Sequence, residues 1–416
     1  MRILLVNRHY GSQQTPTARM LFDLAGALSA MGHRVHVLTS RQGYTGTADA
    51  PARADATPVT YLRSFWGFGR LSGWLSFWVQ ACLLVPLMRW ERCVLLTDPP
   101  FLCLIAFLAR LVGGAQRRTY WWTMDLYPEA LVADGMVRPG SAIYRALRWL
   151  NELALRSVSG VICLGRRQQS RLKEYRNWRR ERGFSVIVPP WDFRSVAKVD
   201  RAANRFLAQH PWQGKRLVLY AGNLGEAHSF EELLEASRHL AREGNSEWMT
   251  VFVVRGARCA DLQRATAGLP NVAVLDYQPP ELTADLLWAA DVHAITMREG
   301  WQGIVVPSKL YAALQTEAPV LFIGPDDADT ADEVRKYTAG ATLPCGCSGK
   351  EIAHVLQELC NGKAPHPGPV RRNGPRIIAQ FVAGGLTGER PPAPREANGY
   401  RQSFLWAMPT HEMQRV

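Results

Sequence analysis

Gly300-Trp301-Gln302-Gly303-Ile304-Val305-Val306-Pro307-Ser308-Lys309-Leu310-Tyr311 decides how the chain is read. Ahead of it, Val292-His293-Ala294-Ile295-Thr296 is an apolar run of strand character. Behind it, Leu310 to Thr316 has a helical pattern, and Val320-Leu321-Phe322-Ile323 is a second apolar run that closes at Gly324-Pro325. Pro307 sits just before the expected first turn, where its missing N–H costs nothing. Strand, glycine-containing loop, helix start and strand make a βαβ unit. Free N–H groups at that helix start, with Lys309 in the first turn, suit an anion. The same features would equally serve an ordinary α/β connection with a surface lysine.

Moving outward, the second half of the chain repeats the pattern. Leu217-Val218-Leu219-Tyr220 reads as a strand and runs into Ala221-Gly222-Asn223-Leu224-Gly225. Ser229 and Glu232 have the spacing of a capping box ahead of Leu233 and Leu234. Two glycines between strand and capped helix let backbone approach a phosphate. They do not make the three-glycine dinucleotide fingerprint, which argues against a dehydrogenase. Strands at Val251–Val254 and Val272–Leu275 end in Arg255-Gly256 and Asp276-Tyr277. Asp327-Ala328-Asp329 has the form of a D-x-D metal motif, a pattern that arises easily by chance in an acidic loop.

The first half is also α/β. Ile3–Val6 is a strand, His9-Tyr10-Gly11-Ser12 a loop, and Pro16-Thr17 opens an amphipathic helix with Met20, Leu24, Leu28 and Met31 on one side and Gly32 at its end. Strands follow at His33–Thr39, Cys93–Leu96, Thr119–Thr123, Gly160–Leu164 and Val186–Val188. The strand at 119–123 ends in Met124-Asp125-Leu126-Tyr127-Pro128-Glu129. This places two carboxylates at the end where parallel sheets bind ligands, although Asp125 would also serve as a turn cap. Leu71 to Met88 runs 18 residues without a charge between Arg70 and Arg89. A buried helix, an interfacial helix on a membrane and a true span are the three readings of it. A span would interrupt the βα alternation on both sides.

Composition narrows the partners. The 416 residues are 47% hydrophobic and 20% charged, which fits a globular chain of two domains rather than a disordered one. A net charge of +13 favours anionic partners. Eight Arg/Lys between Arg166 and Arg182, against Glu174 and Glu181, form either a solvated face or a contact for anionic lipid. No nucleic-acid motif accompanies the charge, so nucleic acid is not expected. The eight cysteines are scattered, several in apolar runs, and no pair completes a zinc site. Met1-Arg2-Ile3-Leu4-Leu5-Val6 enters a strand without a secretory pattern, and a cytoplasmic location is expected. The expected organisation is a first domain over 1–195 with a membrane-facing segment near 65–90, a second over 196–365, and a Pro/Arg-rich tail over 366–416 with a short docking helix near 399–408.

Tyr220-Ala-Gly-Asn-Leu-Gly225, Asn271-Val-Ala-Val-Leu-Asp-Tyr-Gln278, Ala290-Asp291-Val292 and Val305-Val-Pro-Ser-Lys-Leu-Tyr311 follow one another in the order and spacing of a known family. Together they resemble the C-terminal domain of group-1 glycosyltransferases. Thr97-Asp-Pro-Pro100, Asp125-Leu-Tyr-Pro-Glu129 and Val188-Pro-Pro-Trp191 are similar in the first half. The resemblance covers about residues 1 to 362. The subgroup resembled builds bacterial O-antigen, capsule and exopolysaccharide and includes fucosamine-type transferases. It implies a GT-B fold, two Rossmann-like domains facing a cleft. It also implies retaining transfer of a sugar from a nucleotide-diphosphate donor, a UDP-sugar being favoured, with no metal and no cofactor. The acceptor would be a lipid-linked or other saccharide, and the enzyme peripheral on the inner face of the plasma membrane.

Carried over residue by residue, Gly222, Asn223, Leu224 and Gly225 would approach the diphosphate. Arg255-Gly256 and Asp276-Tyr277 would flank the base, and Pro307, Ser308 and Lys309 would meet phosphate or ribose. Asp125 matches the aspartate of the family's His-Asp pair, with Glu129 a second carboxylate near the sugar; either would polarise the donor or orient the acceptor hydroxyl. Asp125, Glu129 and Lys309 are the expected catalytic residues, while His9, Tyr10 and Gly11 lie on the acceptor side. The chain departs from the family at three places. The E-x7-E pair is missing, since Glu299 has Pro307 eight residues on and Ala312 stands where the second glutamate aligns. Met124 replaces the histidine of the pair. Glu226 replaces the arginine that often follows the Gly222 turn. A degenerate GT-B binding or scaffold protein and a sugar-nucleotide epimerase are the alternative functions.

Overall fold

The structure is a computed structural model that describes residues 1–11, 15–40, 57–63, 70–113, 116–181, 183–191, 196–362 and 373–384. Two parallel sheets organise the chain. The first holds β1 (Arg2–Val6), β2 (Arg34–Ser40), β3 (Val59–Leu62), β4 (Arg92–Leu95), β5 (Arg118–Trp122), β6 (Gly160–Cys163) and β7 (Ser185–Ile187), in the order β3-β2-β1-β4-β5-β6-β7. The second holds β8 (Arg216–Asn223), β9 (Trp248–Arg255), β10 (Val272–Leu275), β11 (Val292–Thr296), β12 (Val320–Ile323) and β13 (Gly340–Leu343), in the order β10-β9-β8-β11-β12-β13. In each, the chain starts near the middle, builds outward one way, then returns to build the other. That is the doubly wound order.

Alternation along the strands explains why both faces are covered. Leu4 and Val6 belong to one buried cluster while Ile3 and Leu5 belong to another. Likewise Val218 and Tyr220 pack on one side of β8, and Leu217 and Leu219 on the other. Strands buried on both faces read as continuous apolar runs, which is why the central ones are visible in sequence. The edge strands β3 and β13 were not. They are short and only partly buried, so hydrophobicity does not mark them. At Gly340 in β13 an added Cβ would meet the Val320 carbonyl oxygen at 1.9 Å, so the edge closes on β12 only with glycine there.

The helix Pro16–Ala30 buries Met20, Leu21, Leu24, Ala25 and Leu28. Gly32 then takes φ +80°, and the His33 N–H donates to the Leu28 carbonyl at 3.1 Å. Met31, expected on the buried side, is exposed, because the helix has already ended. The apolar segment after Arg70 is a helix, Arg70–Leu84. Its 15 residues extend about 22 Å, short of the ~30 Å hydrocarbon core. Among the described residues no helix is long and apolar enough to cross a membrane. Phe77, Ala81 and Val85 face the core, while Leu75, Leu83, Leu84 and Leu87 are exposed. Leu111 and Val112, at the end of the adjoining helix Ile105–Gly113, are exposed as well.

The last described helix, Gly374–Val382, was not foreseen; the helix expected near 399–408 lies outside the described residues. It returns from the second sheet to the first. Ile378, Ala379, Phe381 and Val382 join the cluster of Ile3, Leu5 and Leu24, and Phe381 meets the Tyr120 ring edge-on at 5.4 Å. At its start, a Cβ on Gly374 would lie 2.5 Å from the Trp191 indole. That indole stacks on Trp122 at 5.6 Å and donates to Asp23 at 2.9 Å, so it has little room to move. Gly374→Ala is therefore expected to destabilise the protein by about 1–2 kcal/mol through overpacking. Chemical denaturation measures this, and an unchanged midpoint would show that the helix does not seat against Trp191.

Candidate functional site

In doubly wound sheets the crevice lies beyond the strand C-termini, where the order reverses. Here the reversals fall between β1 and β4 and between β8 and β11. Arg8, His9 and Asp98 follow the first pair of strands; Gly222, Asn223 and Arg298 end or follow the second.

At the second reversal, β8 runs on through Ala221, Gly222 and Asn223, three residues past the expected strand end. Lys309 reaches across it. The Nζ donates to the Asn223 carbonyl at 2.7 Å and to His228 Nε2 at 3.0 Å, and it lies 4.8 Å from the Tyr220 ring centre. Gly222 makes this possible: it takes φ +135°, and a Cβ there would sit 2.7 Å from Lys309 Cε. His228 Nδ1 bonds the Thr296 carbonyl at 2.7 Å, so that nitrogen carries the proton and Nε2 is left to accept from the lysine. Burial, then the Lys309 charge, lowers the His228 pKa to about 3. Although water reaches Lys309, dense protein around the ammonium pulls its pKa down to about 7.

The neighbouring strand ends carry the other residues expected on the donor side. The Arg255 Nε–Asp276 Oδ1 contact is 3.0 Å, and the guanidinium lies over Tyr277 at 4.7 Å. That hydrogen bond leads the lowering of the Asp276 pKa. Gly256 (φ +138°) lets the Leu224 carbonyl approach where a Cβ would lie 2.3 Å away. Leu224 itself is buried, and its N–H donates to the Arg255 carbonyl at 2.6 Å. Gly225 closes the turn by accepting the His228 N–H at 3.0 Å.

Two local expectations are corrected. The helix after Pro307 is Lys309–Ala313, five residues rather than a run to Thr316; Ser308 is its N-cap without a side-chain cap bond, and Pro307 is buried. So short a helix has little macrodipole, and the positive charge here is mainly that of Lys309. Ser229 and Glu232 do not form a capping box. The helix starts at Glu231 with Phe230 as N-cap, and Glu231 accepts the Phe230 N–H at 2.8 Å. The Ser229 carbonyl instead accepts from Thr296 Oγ1 at 2.6 Å.

At the first reversal, Asp98 receives Arg8 Nε at 3.2 Å and faces His9 Nε2 at 3.2 Å. Thr97 Oγ1 accepts the Asp125 N–H at 3.3 Å, tying the β4 and β5 loops together. Asp125 is open to water but has dense protein around it. This crowding and the Asp98 charge push its pKa up to about 6. Glu129 is not part of this group. Its carboxylate is buried, accepts from the Tyr175 hydroxyl at 2.6 Å and lies 3.7 Å from Arg148. The catalytic reading of Glu129 is corrected accordingly: one residue into the helix Glu129–Ala133, the side chain turns into the helical layer. Tyr10 packs on Phe22 at 5.7 Å, and the Gly11 N–H donates to the Ala18 carbonyl at 3.3 Å.

The two groups are joined by backbone. The Leu126 N–H, next to Asp125, donates to the Ile304 carbonyl at 3.1 Å. Arg171 Nε donates to the Gln302 carbonyl at 2.7 Å, and a Cβ on Gly303 would meet the Arg167 backbone at 2.9 Å. Asp329 of the D-x-D sequence is the N-terminal partner of the helix Arg166–Lys173, accepting the Arg167 N–H at 3.1 Å. Among the described residues no group of three or more His, Cys, Asp or Glu is placed to hold a metal ion.

Sequence reasoning missed His228, Arg8 and Arg298 as site residues. Asp98 stood only within the quoted Thr97-Asp-Pro-Pro100. A histidine in a polar turn and arginines after apolar strands carry no spacing signal; strand order brings them together.

Residues 17–191 match the family model described as a glycosyl transferase 4-like domain. The chain is 27% identical over 271 residues to "Probable glycosyltransferase WbjE" of Pseudomonas aeruginosa, covering 64% of this chain and 64% of that protein's length. Among solved structures it is similar to WaaG, "a glycosyltransferase involved in lipopolysaccharide biosynthesis", with TM-score 0.65 at 15% identity over 92% of this chain and 100% of that one. Anabaena HepE in complex with UDP and glucose gives TM-score 0.63 at 14% identity, over 92% and 97%. The fold is GT-B, and over residues 17–191 the chain is similar to the glycosyl transferase 4-like domain.

Proposed function

We propose that the protein transfers a sugar from a nucleotide-diphosphate donor, a UDP-sugar, to a lipid-linked or saccharide acceptor in cell-surface polysaccharide biosynthesis, with retention and without a metal. The observation that carries this is Lys309, held across Gly222 at the second strand reversal on a loop hydrogen-bonded to the residue beside Asp125. UDP and glucose bound to the similar HepE fold, and the lipopolysaccharide role in the name of WaaG, support donor class and pathway.

The reaction breaks the bond between the sugar's anomeric carbon and the diphosphate oxygen, and the electron pair leaves with the diphosphate. Lys309 and the Gly225 N–H at the end of the Gly222 turn stabilise that charge, the role a metal ion would otherwise fill. The acceptor hydroxyl oxygen forms the new bond to the anomeric carbon on the face from which the diphosphate departs, which is what retains the configuration. Asp125 orients that hydroxyl and takes its proton, and a carboxylate with a pKa of about 6 suits this near neutral pH. Arg255, Asp276 and Tyr277 flank the base. Glu226 and Ala312 favour a second reading, a binding protein without turnover. A panel of nucleotide sugars with native membranes separates the two: released nucleotide and labelled glycolipid are expected, and binding without release from any donor would leave only the second.

The exposed Leu75, Leu83, Leu84 and Leu87 beside Arg89 support docking on anionic membrane at the acceptor side. Trp74, on the core-facing side of the same helix, lies 5.6 Å from the Arg8 guanidinium, so the helix, though not its exposed face, adjoins the first switch point. Leu83→Ser with Leu87→Ser is expected to weaken sedimentation with phosphatidylglycerol vesicles by roughly tenfold while donor binding is unchanged. Equal binding to neutral and anionic vesicles by wild type and variant would remove the membrane from the reading.

A further inference from the structure

Taking the second switch point as the donor site, we propose that Arg298 is a second diphosphate-binding cation, held on Glu226 in the free protein and passed to the donor's phosphate on binding. Arg298 follows β11 and Glu226 follows β8, so the two stand on opposite sides of the strand reversal. The Arg298 backbone is fixed to the turn, its N–H donating to the Ala227 carbonyl at 2.9 Å. Its Nη1 donates to the Glu226 carbonyl at 3.1 Å, while the carboxylate stands farther off, with Oε2 at 3.8 Å. Lys309 grips the same turn three residues earlier, at the Asn223 carbonyl. Two cations therefore bracket the segment that would face the leaving group.

Charge explains why the second is needed. A carboxylate at 226 would repel a diphosphate unless neutralised. The other arginines at these strand ends are engaged elsewhere: Arg258 with Glu231 and the His228 carbonyl, Arg255 with Asp276 and Tyr277. The Arg298–Glu226 pair is different. Both side chains are about two-fifths exposed, 43% and 40%, and a long, solvated ion pair is weak. A diphosphate offers more charge and a geometry that matches the guanidinium fork, so it competes for Arg298 while the backbone anchor keeps the residue in place.

The test is calorimetric titration of the full chain with UDP, ADP and GDP, and with the corresponding nucleosides. For the diphosphate that binds wild type, Arg298→Ala is expected to weaken binding about tenfold while nucleoside binding is unchanged. Glu226→Gln is expected to tighten it about threefold, and the double variant Arg298→Ala/Glu226→Arg to recover most of the loss by restoring a cation on the same turn. Arg298→Lys should keep part of the affinity. Unchanged diphosphate binding by Arg298→Ala would overturn the proposal, as would equal loss for nucleoside and diphosphate, or no recovery in the double variant. Wild-type protein that binds none of the diphosphates overturns both this assignment and the donor-site reading. Protein that binds one with the expected variant pattern, yet transfers nothing from the nucleotide-sugar panel, upholds the Arg298 grip and removes only transfer.

Discussion

Lys309→Met is expected to lower kcat/KM for the nucleotide-sugar donor by about 10²–10³, the scale for losing a charged group that stabilises a leaving anion. Methionine keeps an unbranched stem that can cross Gly222 and lie against Tyr220, so the loss reports charge more than packing. The effect should fall on kcat as well as KM, because the diphosphate becomes more negative as the bond breaks. A pH signature accompanies it. The free ammonium has its pKa pulled to about 7 by burial, and a bound diphosphate favours the charged form. The bound pKa is therefore higher, binding takes up a proton above about pH 7, and affinity falls as pH rises through that range. Titrations in buffers of different ionisation enthalpy measure the uptake, which Lys309→Met should abolish. If the variant retained wild-type kcat/KM, the donor site would have to lie elsewhere.

Asp125→Asn is expected to lower kcat by about 10²–10³ with a smaller change in donor KM, since the amide matches the shape but neither carries charge nor accepts a proton. The wild-type rate should fall as pH drops through about 6, where the carboxylate protonates. Asp98→Asn removes a charge that raises this pKa, so the acid limb should move to lower pH. Stability has the opposite sign. A carboxyl whose folded pKa is raised holds its proton more tightly when folded than when unfolded. Its contribution is fully present below the ordinary carboxylate range and is lost as pH rises through about 6. At neutral pH, Asp125→Asn should thus be at least as stable as wild type while nearly inactive. A variant that lost stability and activity together would mark Asp125 as structural.

The proposed donor half of the site was more legible than the proposed acceptor half for a physical reason. Gly222, Gly256, Lys309 and Asp276 sit just after apolar strands, so local pattern alone puts them at strand ends. Their neighbours in space are different. His228 meets Lys309, 81 residues away, and Arg8 and His9 meet Asp98, some ninety residues on. No local period connects such pairs. Glu129 shows the converse error. Its place beside Asp125 in sequence suggested a pair of carboxylates, yet the turn into a helix sends it to Tyr175 and Arg148.

By itself, the sequence determined the alternation of buried strands and covering helices, the two α/β halves, and a glycine-bearing turn after the strand at 217–220. Each is set by short-range patterning or by the absence of a side chain. Only the tertiary structure decided how the opening stretch works. Its helix is five residues long, so its N-terminus is a weak anion site. Charge comes from Lys309, aimed by His228 and by a glycine that leaves room for its stem. The same holds for the return of Gly374–Val382 to the first sheet and the Leu126–Ile304 bond between the two site loops. These contacts join residues far apart in the chain, and their geometry follows from strand order and packing, which no local stretch encodes.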